Sequence, residues 1–160
     1  MKKIFNFPVF IVVLIIAAIF LIAANKNKGE DSDSKDITQE CVNHTGLGMH
    51  IHPRLAIIIN GENQIIPAGI GIPDLNCMRP VHIHDESGTI HIEYKRKRDF
   101  NLAEFFRIWG KDFNREQIFD YRTDEKHFLK MTVNGQENHD FENLILRDLD
   151  TIKIEYGEIK

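Results

Sequence analysis

Several signatures are missing from this chain of 160 residues. It has only two cysteines, Cys41 and Cys77, and no C-x-x-C pair, which argues against a thiol-exchange enzyme. It has no glycine-rich loop of the kind that cradles phosphates. No Ser-His-Asp arrangement can be assembled: Ser87 falls in a turn, and closeness to His84 in sequence does not make a triad. The formal net charge of −4 lacks the positive excess that a nucleic-acid binder needs. No internal repeat is visible. The length suits one domain with a real core, plus an extra segment.

That extra segment is N-terminal. Val9 to Ala24 is sixteen apolar residues without a break. Extended back through Phe5, it approaches the ~20 residues that cross a bilayer. Lys2 and Lys3 precede it, which favours a cytoplasmic N-terminus. A cleaved signal peptide would have an apolar region of about 7–15 residues and a small-x-small site. Cleavage after Ala24 would instead put Ile22 at the second small position. The reading is a transmembrane signal anchor over residues 1–24 and a flexible charged tether over 25–40. An extracytoplasmic domain follows over 41–160. Asn25 to Asp36 contains no apolar residue, as a solvated tether requires. This places the chain in the cell membrane as a single-pass protein, with its C-terminal domain outside the cytoplasm. The membrane is the implied partner, nucleic acid is not, and no protein partner is specified.

The domain reads as α+β. Leu55 to Ile59, then Asn60-Gly61, then Gln64 to Ile66 predict a β-hairpin. Pro67, Gly69, Gly71 and Pro73 punctuate a loop after it. Asn101 to Gly110 predicts a short helix. Asn101 with Glu104 makes a capping box, Leu102, Phe105, Phe106 and Trp109 share one face, and Gly110 ends it. Asn134-Gly135 marks another hairpin turn. Ile152, Ile154 and Tyr156 alternate with polar residues as in a half-buried strand. Hairpins plus one helix on a mixed sheet suggest a β-grasp-like architecture.

Eight histidines are unusually many, and five lie in or beside H-x-H patterns. Pro80 to Tyr94 reads "PVHIHDESGTIHIEY". Turn chemistry at Asp85 to Gly88 predicts a hairpin in which His84 faces Thr89, Ile83 pairs with Ile90, His82 with His91, and Val81 with Ile92. Side chains alternate along strands, so the four aliphatics take one face, and His82, His84, Thr89 and His91 take the other. Opposed strand residues have Cβ atoms about 4.5–5.5 Å apart, close enough for three imidazoles to meet one ion. His50 and His52 form a second H-x-H upstream, with His44 further back.

The candidate metal ligands are therefore His82, His84 and His91, with His50 and His52 completing or flanking them. Asp85 and Glu93 are candidate partners that orient a ring. Imidazole ligands suit zinc or copper, and Met49 and Met78 nearby keep copper in view. The plainer alternatives are a solvent face that carries polar residues without any ligand, or a buried polar cluster bonded to backbone. A metal-free interaction module at the membrane surface is a second function. A small metalloenzyme with Glu93 or Asp85 as general base is a third. The basic run Lys95 to Arg98 is most simply a solvated strand end, with contact to anionic lipid as the alternative.

Two cysteines in an extracytoplasmic domain predict a Cys41–Cys77 disulfide. It would close a loop of about 37 residues and contribute about 4 kcal/mol in the chain-entropy account. Thiolate metal ligands are the second reading of the pair.

The motifs "HIHPRLAIIING", "CMRPVHIHDESGTIHIEY" and "FNLAEFFRIWG", in that order, resemble an uncharacterised family of secreted or membrane-anchored prokaryotic proteins. Its pattern runs H-x-H-P, then Cys, H-x-H-D-x-S-G-x-I-H-I-E, then F-F-x-I-W-G. The resemblance covers His50 to Gly110 well and the C-terminal third weakly. This chain keeps His50, His52, Cys77, His82, His84, Asp85, Ser87, Gly88, His91, Glu93 and Trp109 in place. The resemblance implies an extracytoplasmic domain of the same fold and carries no activity with it.

Overall fold

A computed structural model describes residues 36–42 and 44–159. The apolar run read as a membrane anchor, and most of the tether, lie outside the described residues. Among the described residues, no helix is long and apolar enough to cross a membrane. Ile37 is buried in the core, and Tyr94 donates a hydrogen bond to Glu40, so packed structure begins ahead of Cys41.

The described chain is α+β, mostly sheet. Strands β1 (Met49–Ile51), β2 (Arg54–Ile59) and β3 (Glu62–Gln64) open it, followed by β4 (Val81–His82) and β5 (His91–Tyr94). Helix α1 (Leu102–Trp109) comes next, then β6 (Phe113–Asn114), β7 (Gln117–Ile118) and β8 (Tyr121–Arg122). The chain closes with β9 (His127–Val133), β10 (Gln136–Asn138), a 3-10 turn at Phe141–Asn143 and β11 (Thr151–Glu158).

The larger sheet has five strands in the order β10-β9-β11-β2-β3. Its centre pairs β2 with β11 in parallel, setting Leu55 against Ile152, Ile57 against Ile154 and Ile59 against Tyr156. All six are buried, so one face supplies core while Lys153 and Glu155 pair on the other. Both Asn-Gly pairs sit in the left-handed region, at φ 53° and 85° for residues 60 and 61, and 52° and 79° for 134 and 135. Those are the conformations a two-residue hairpin turn demands. The tight turn pairs Glu62 directly with Ile59, so β3 starts two residues before the predicted Gln64–Ile66 return. Ile65 is left exposed and Ile66 turns into the core.

The second sheet has three strands in the order β1-β5-β4, all antiparallel. Val81 pairs with Ile92 and His82 with His91, the register that the alternation predicts. The ladder then stops, short of the expected Ile83–Ile90 and His84–Thr89 pairs. Ile83 instead exchanges hydrogen bonds with the Gly69–Ile70 segment, and Ile90 donates to Pro53 O at 2.8 Å. The two strands splay because each finds a backbone partner elsewhere, while both isoleucines stay fully buried. Gly88 makes this possible. At φ 75° it lies against the Leu55 carbonyl, where a Cβ would stand 2.2 Å from the oxygen.

Helix α1 carries both expected caps. Asn101 Oδ1 accepts from Glu104 N at 3.0 Å, Glu104 Oε2 accepts from Asn101 N at 2.9 Å, and Gly110 closes the end at φ 71°. Leu102, Phe105 and Phe106 are buried, and Trp109 packs half-buried against Phe105, Phe106 and Phe119. The helix neighbours β4, the 3-10 turn and β6, so it braces the second sheet. Strands β6, β7 and β8 form a third small sheet that has no counterpart in the sequence reading. Cys41 and Cys77 are joined in a disulfide, with Cα atoms 5.1 Å apart.

Candidate metal centre

The register of the second sheet assembles the histidines. β5 is its middle strand. On one side β1 pairs His50 with Glu93 and Ile51 with Ile92. On the other side β4 pairs His82 with His91. Alternation therefore sends Ile51, Ile92 and Val81 to one face and His50, Glu93, His82 and His91 to the opposite one. His52, one residue beyond β1, stands beside His91 with ring centroids 4.8 Å apart. The result is a row of imidazoles across three strands, His52, His91 and His82, with His50 and His84 at its two ends.

Two groups of three histidines could each hold a metal ion: His82, His84 and His91, and His50, His52 and His91. Within each group the ligand nitrogens lie within 4.8 Å of one another. In the first, His82 Nε2 and His84 Nε2 are 3.2 Å apart. In the second, His50 Nε2 and His52 Nε2 are 3.0 Å apart. Two nitrogens bound tetrahedrally to one ion at about 2.0–2.1 Å stand roughly 3.3 Å apart. Both pairs are thus near ligand spacing before any ion is considered. The same distances also suit an N–H donating to a ring lone pair, which satisfies neutral imidazoles without metal.

His82 is the best-defined candidate ligand. Its Nδ1 lies 2.9 Å from Arg79 O, and a carbonyl only accepts, so Nδ1 carries the proton. The neutral ring then has its lone pair on Nε2, aimed at His84. His82 is fully buried, and burial drives its pKa down to about 4. His91 is also lowered, first by burial and then by the neighbouring rings of His84 and His52. A neutral imidazole with a free lone pair is the form a metal binds.

Of the two carboxylates named from sequence, Glu93 joins the site. It is only 3% exposed, and its Oε1 lies 3.1 Å from His50 Nε2. Its Oε2 is 2.8 Å from His44 Nδ1, close enough to attract a protonated ring but without hydrogen-bond alignment. Asp85 does not touch a ring. It accepts from Ser87 N at 2.9 Å, and the Ser87 hydrogen bonds hold its carboxyl below the ordinary range. Asp148 is the partner the sequence did not reveal. Its Oδ1 accepts from His52 N at 2.8 Å and anchors the end of the second H-x-H. No local pattern links positions so far apart in the chain.

Neither methionine joins the imidazoles. Met49 alternates away from His50 and packs against the core, and Met78 bridges Val42 through its backbone. Lys95 and Arg98 of the basic run are drawn into ion pairs with Glu40 and Glu104. His127 stacks on Tyr156 and His139 lies near Glu137, both apart from this site. No family model, no curated protein and no solved structure matches the chain.

Proposed function

We propose that this is a membrane-anchored extracytoplasmic protein that binds a transition metal ion, copper or zinc, through His82, His84 and His91. Its role is metal capture or delivery. The observation that carries this reading is the convergence of the three rings on one face of a sheet, with the Arg79 carbonyl holding His82 in a ligating tautomer. A solvent face that merely tolerates histidine has no reason to bury one completely. The all-imidazole set suits Zn(II) or Cu(II) better than Cu(I), since the thioethers stand elsewhere. The five-stranded sheet is mixed, with β2 and β11 parallel, as a β-grasp-like architecture needs, while helix α1 braces the histidine sheet. The anchor, the tether and membership of the secreted or membrane-anchored family rest on the sequence motifs.

The test is the metal content of the purified full-length chain after loading with Zn(II) or Cu(II). Stoichiometric metal is expected; the ion held by these three rings is lost in His82→Ala/His84→Ala and weakened in His84→Ala, which removes an exposed ring and leaves the core intact. Metal at background level in the loaded wild-type chain overturns the reading.

One observation favours a second reading, a small metalloenzyme. A groove of about 660 Å³ opens beside His50, lined by Met49, Lys97, Arg98, Arg147 and Asp148 among others. Of the candidate ligands only His50 lines this groove, so a substrate there would meet an ion at the His50 end of the row. Co(II) substitution tests it: a spectrum that shifts when a small anion binds is expected of an open site, and an anion-insensitive spectrum excludes it.

A further inference from the structure

We propose that the histidine sheet holds two metal ions, not one, and that His91 is ligand to both. This rests on the reading above and extends it to a second site built from His50, His52 and His91.

His91 sits on the middle strand, so it has a histidine-bearing strand on each side. It meets His84 edge-on at 4.6 Å, with an interplanar angle of 78°. It meets His52 edge-on at 4.8 Å and 87°. Each of those rings belongs to a close nitrogen pair of its own, His84 with His82 and His52 with His50. The two pairs lie on different strands, and His91 is the one residue common to both groups. Among the described residues the five rings fall into these two groups of close nitrogens and not into one, so the geometry offers two ion positions.

Imidazole has two ring nitrogens on different edges, and each can hold an ion. If His91 gives one nitrogen to each group, its remaining N–H proton leaves to solvent and the ring bridges as an imidazolate. Two divalent ions close together repel each other. Glu93 Oε1, 3.1 Å from His50 Nε2, accepts that ring's proton, which an ion there displaces to solvent. The negative charge of the bridge and of the buried Glu93 carboxylate then offset the repulsion.

The two sites differ in access. His82 is fully buried, whereas His84 and His50 are exposed, and His50 lines the groove beside β1. Each group therefore presents one exposed ring to arriving metal, and only the first also holds a ring buried completely. That group, with the His82 tautomer already set, fills first. The His50 group fills second.

The experiment is Cu(II) titration of the purified full-length chain, with bound copper measured by elemental analysis and unpaired spins by EPR. The expected result is two copper ions per chain, with an EPR intensity well below two spins because the imidazolate couples them. In His50→Ala/His52→Ala, which changes solvent-accessible rings, the ratio falls to one and the signal becomes that of one isolated Cu(II). One copper in the wild type, unchanged in that variant, overturns the second site and leaves the first reading standing. Two copper ions at full two-spin intensity overturn the shared ligand. No copper in the loaded wild type removes both readings together.

Discussion

The two main sheets use the same alternation of aliphatic and polar residues and end in opposite situations. In β11, Ile152, Ile154 and Tyr156 enter the core while Lys153 and Glu155 pair in contact with solvent. In β4 and β5, Val81 and Ile92 enter the core just as completely, yet the intervening polar residues His82 and Glu93 are buried too. The five-stranded sheet has long ladders and Asn-Gly turns, so its own hydrogen bonds define it. The histidine sheet has ladders of two or three pairs and takes further backbone partners from Pro53, Leu55 and Ile70. Regular pairing builds a scaffold. Short, splayed strands clamped from outside build a place where polar side chains can be kept dry.

The comparison can be broken most directly at its glycines. Gly88→Ala forces a Cβ into the Leu55 carbonyl at positive φ, whereas Gly135→Ala in the β9–β10 turn meets nothing within 4 Å. The expected loss is about 3 kcal/mol for the first and about 1 kcal/mol for the second, read from denaturant midpoints. Equal losses would mean the clamp on the histidine sheet is no tighter than an ordinary turn.

Next in size is the response to metal. Zn(II) at a hundred times its dissociation constant should stabilise the wild-type chain by about 2.7 kcal/mol. His84→Ala should reduce that gain, while His127→Ala on β9 should leave it intact. A gain undiminished in His84→Ala would place the metal elsewhere. Glu93→Gln keeps the shape of the side chain and removes its charge, so metal affinity at the His50 end should fall about 10- to 100-fold. Calorimetric titration checks this, and an unchanged affinity would make Glu93 a structural residue only.

The metal-free chain should also lose stability as pH falls from about 6.5 toward 4. His82 is held neutral by burial in the folded state, so in that window the unfolded chain binds a proton that the folded chain refuses. Stability therefore rises with pH across the window and is fully present above it. His82→Gln should reduce this dependence, leaving the share of His91, which burial also lowers, measured as urea midpoint against pH. Smallest of all is Lys153→Ala on the solvent face of β11, expected to change stability by less than about 0.5 kcal/mol.

Much of this architecture was legible in the sequence. Both Asn-Gly turns, the capping box at Asn101, the alternation of β11 and the pairing of His82 with His91 are local signals, each contained within a few residues. The Cys41–Cys77 bridge followed from there being only two cysteines to pair. What stayed hidden is non-local. Nothing near His50 announces that β1 will lie beside β5, so the role of Glu93 could be narrowed only to one of two carboxylates. The Asp148 contact to His52 comes from the far end of the chain. The splay beyond His82 escaped notice because Ile83 and Ile90 look like ideal strand partners, and only the rest of the fold supplies the carbonyls that separate them. Strands β6 to β8, two residues each, are too short to leave a periodic trace.

The order of strands has a consequence in time as well as in space. The histidines of β1 are strangers along the chain to those of β4 and β5, and β5 lies between the other two strands only after distant segments have met. An unfolded chain offers isolated H-x-H pairs, each a weak chelate. The full set of rings therefore exists only in a finished molecule, and an ion that needs all of them would certify that folding was completed.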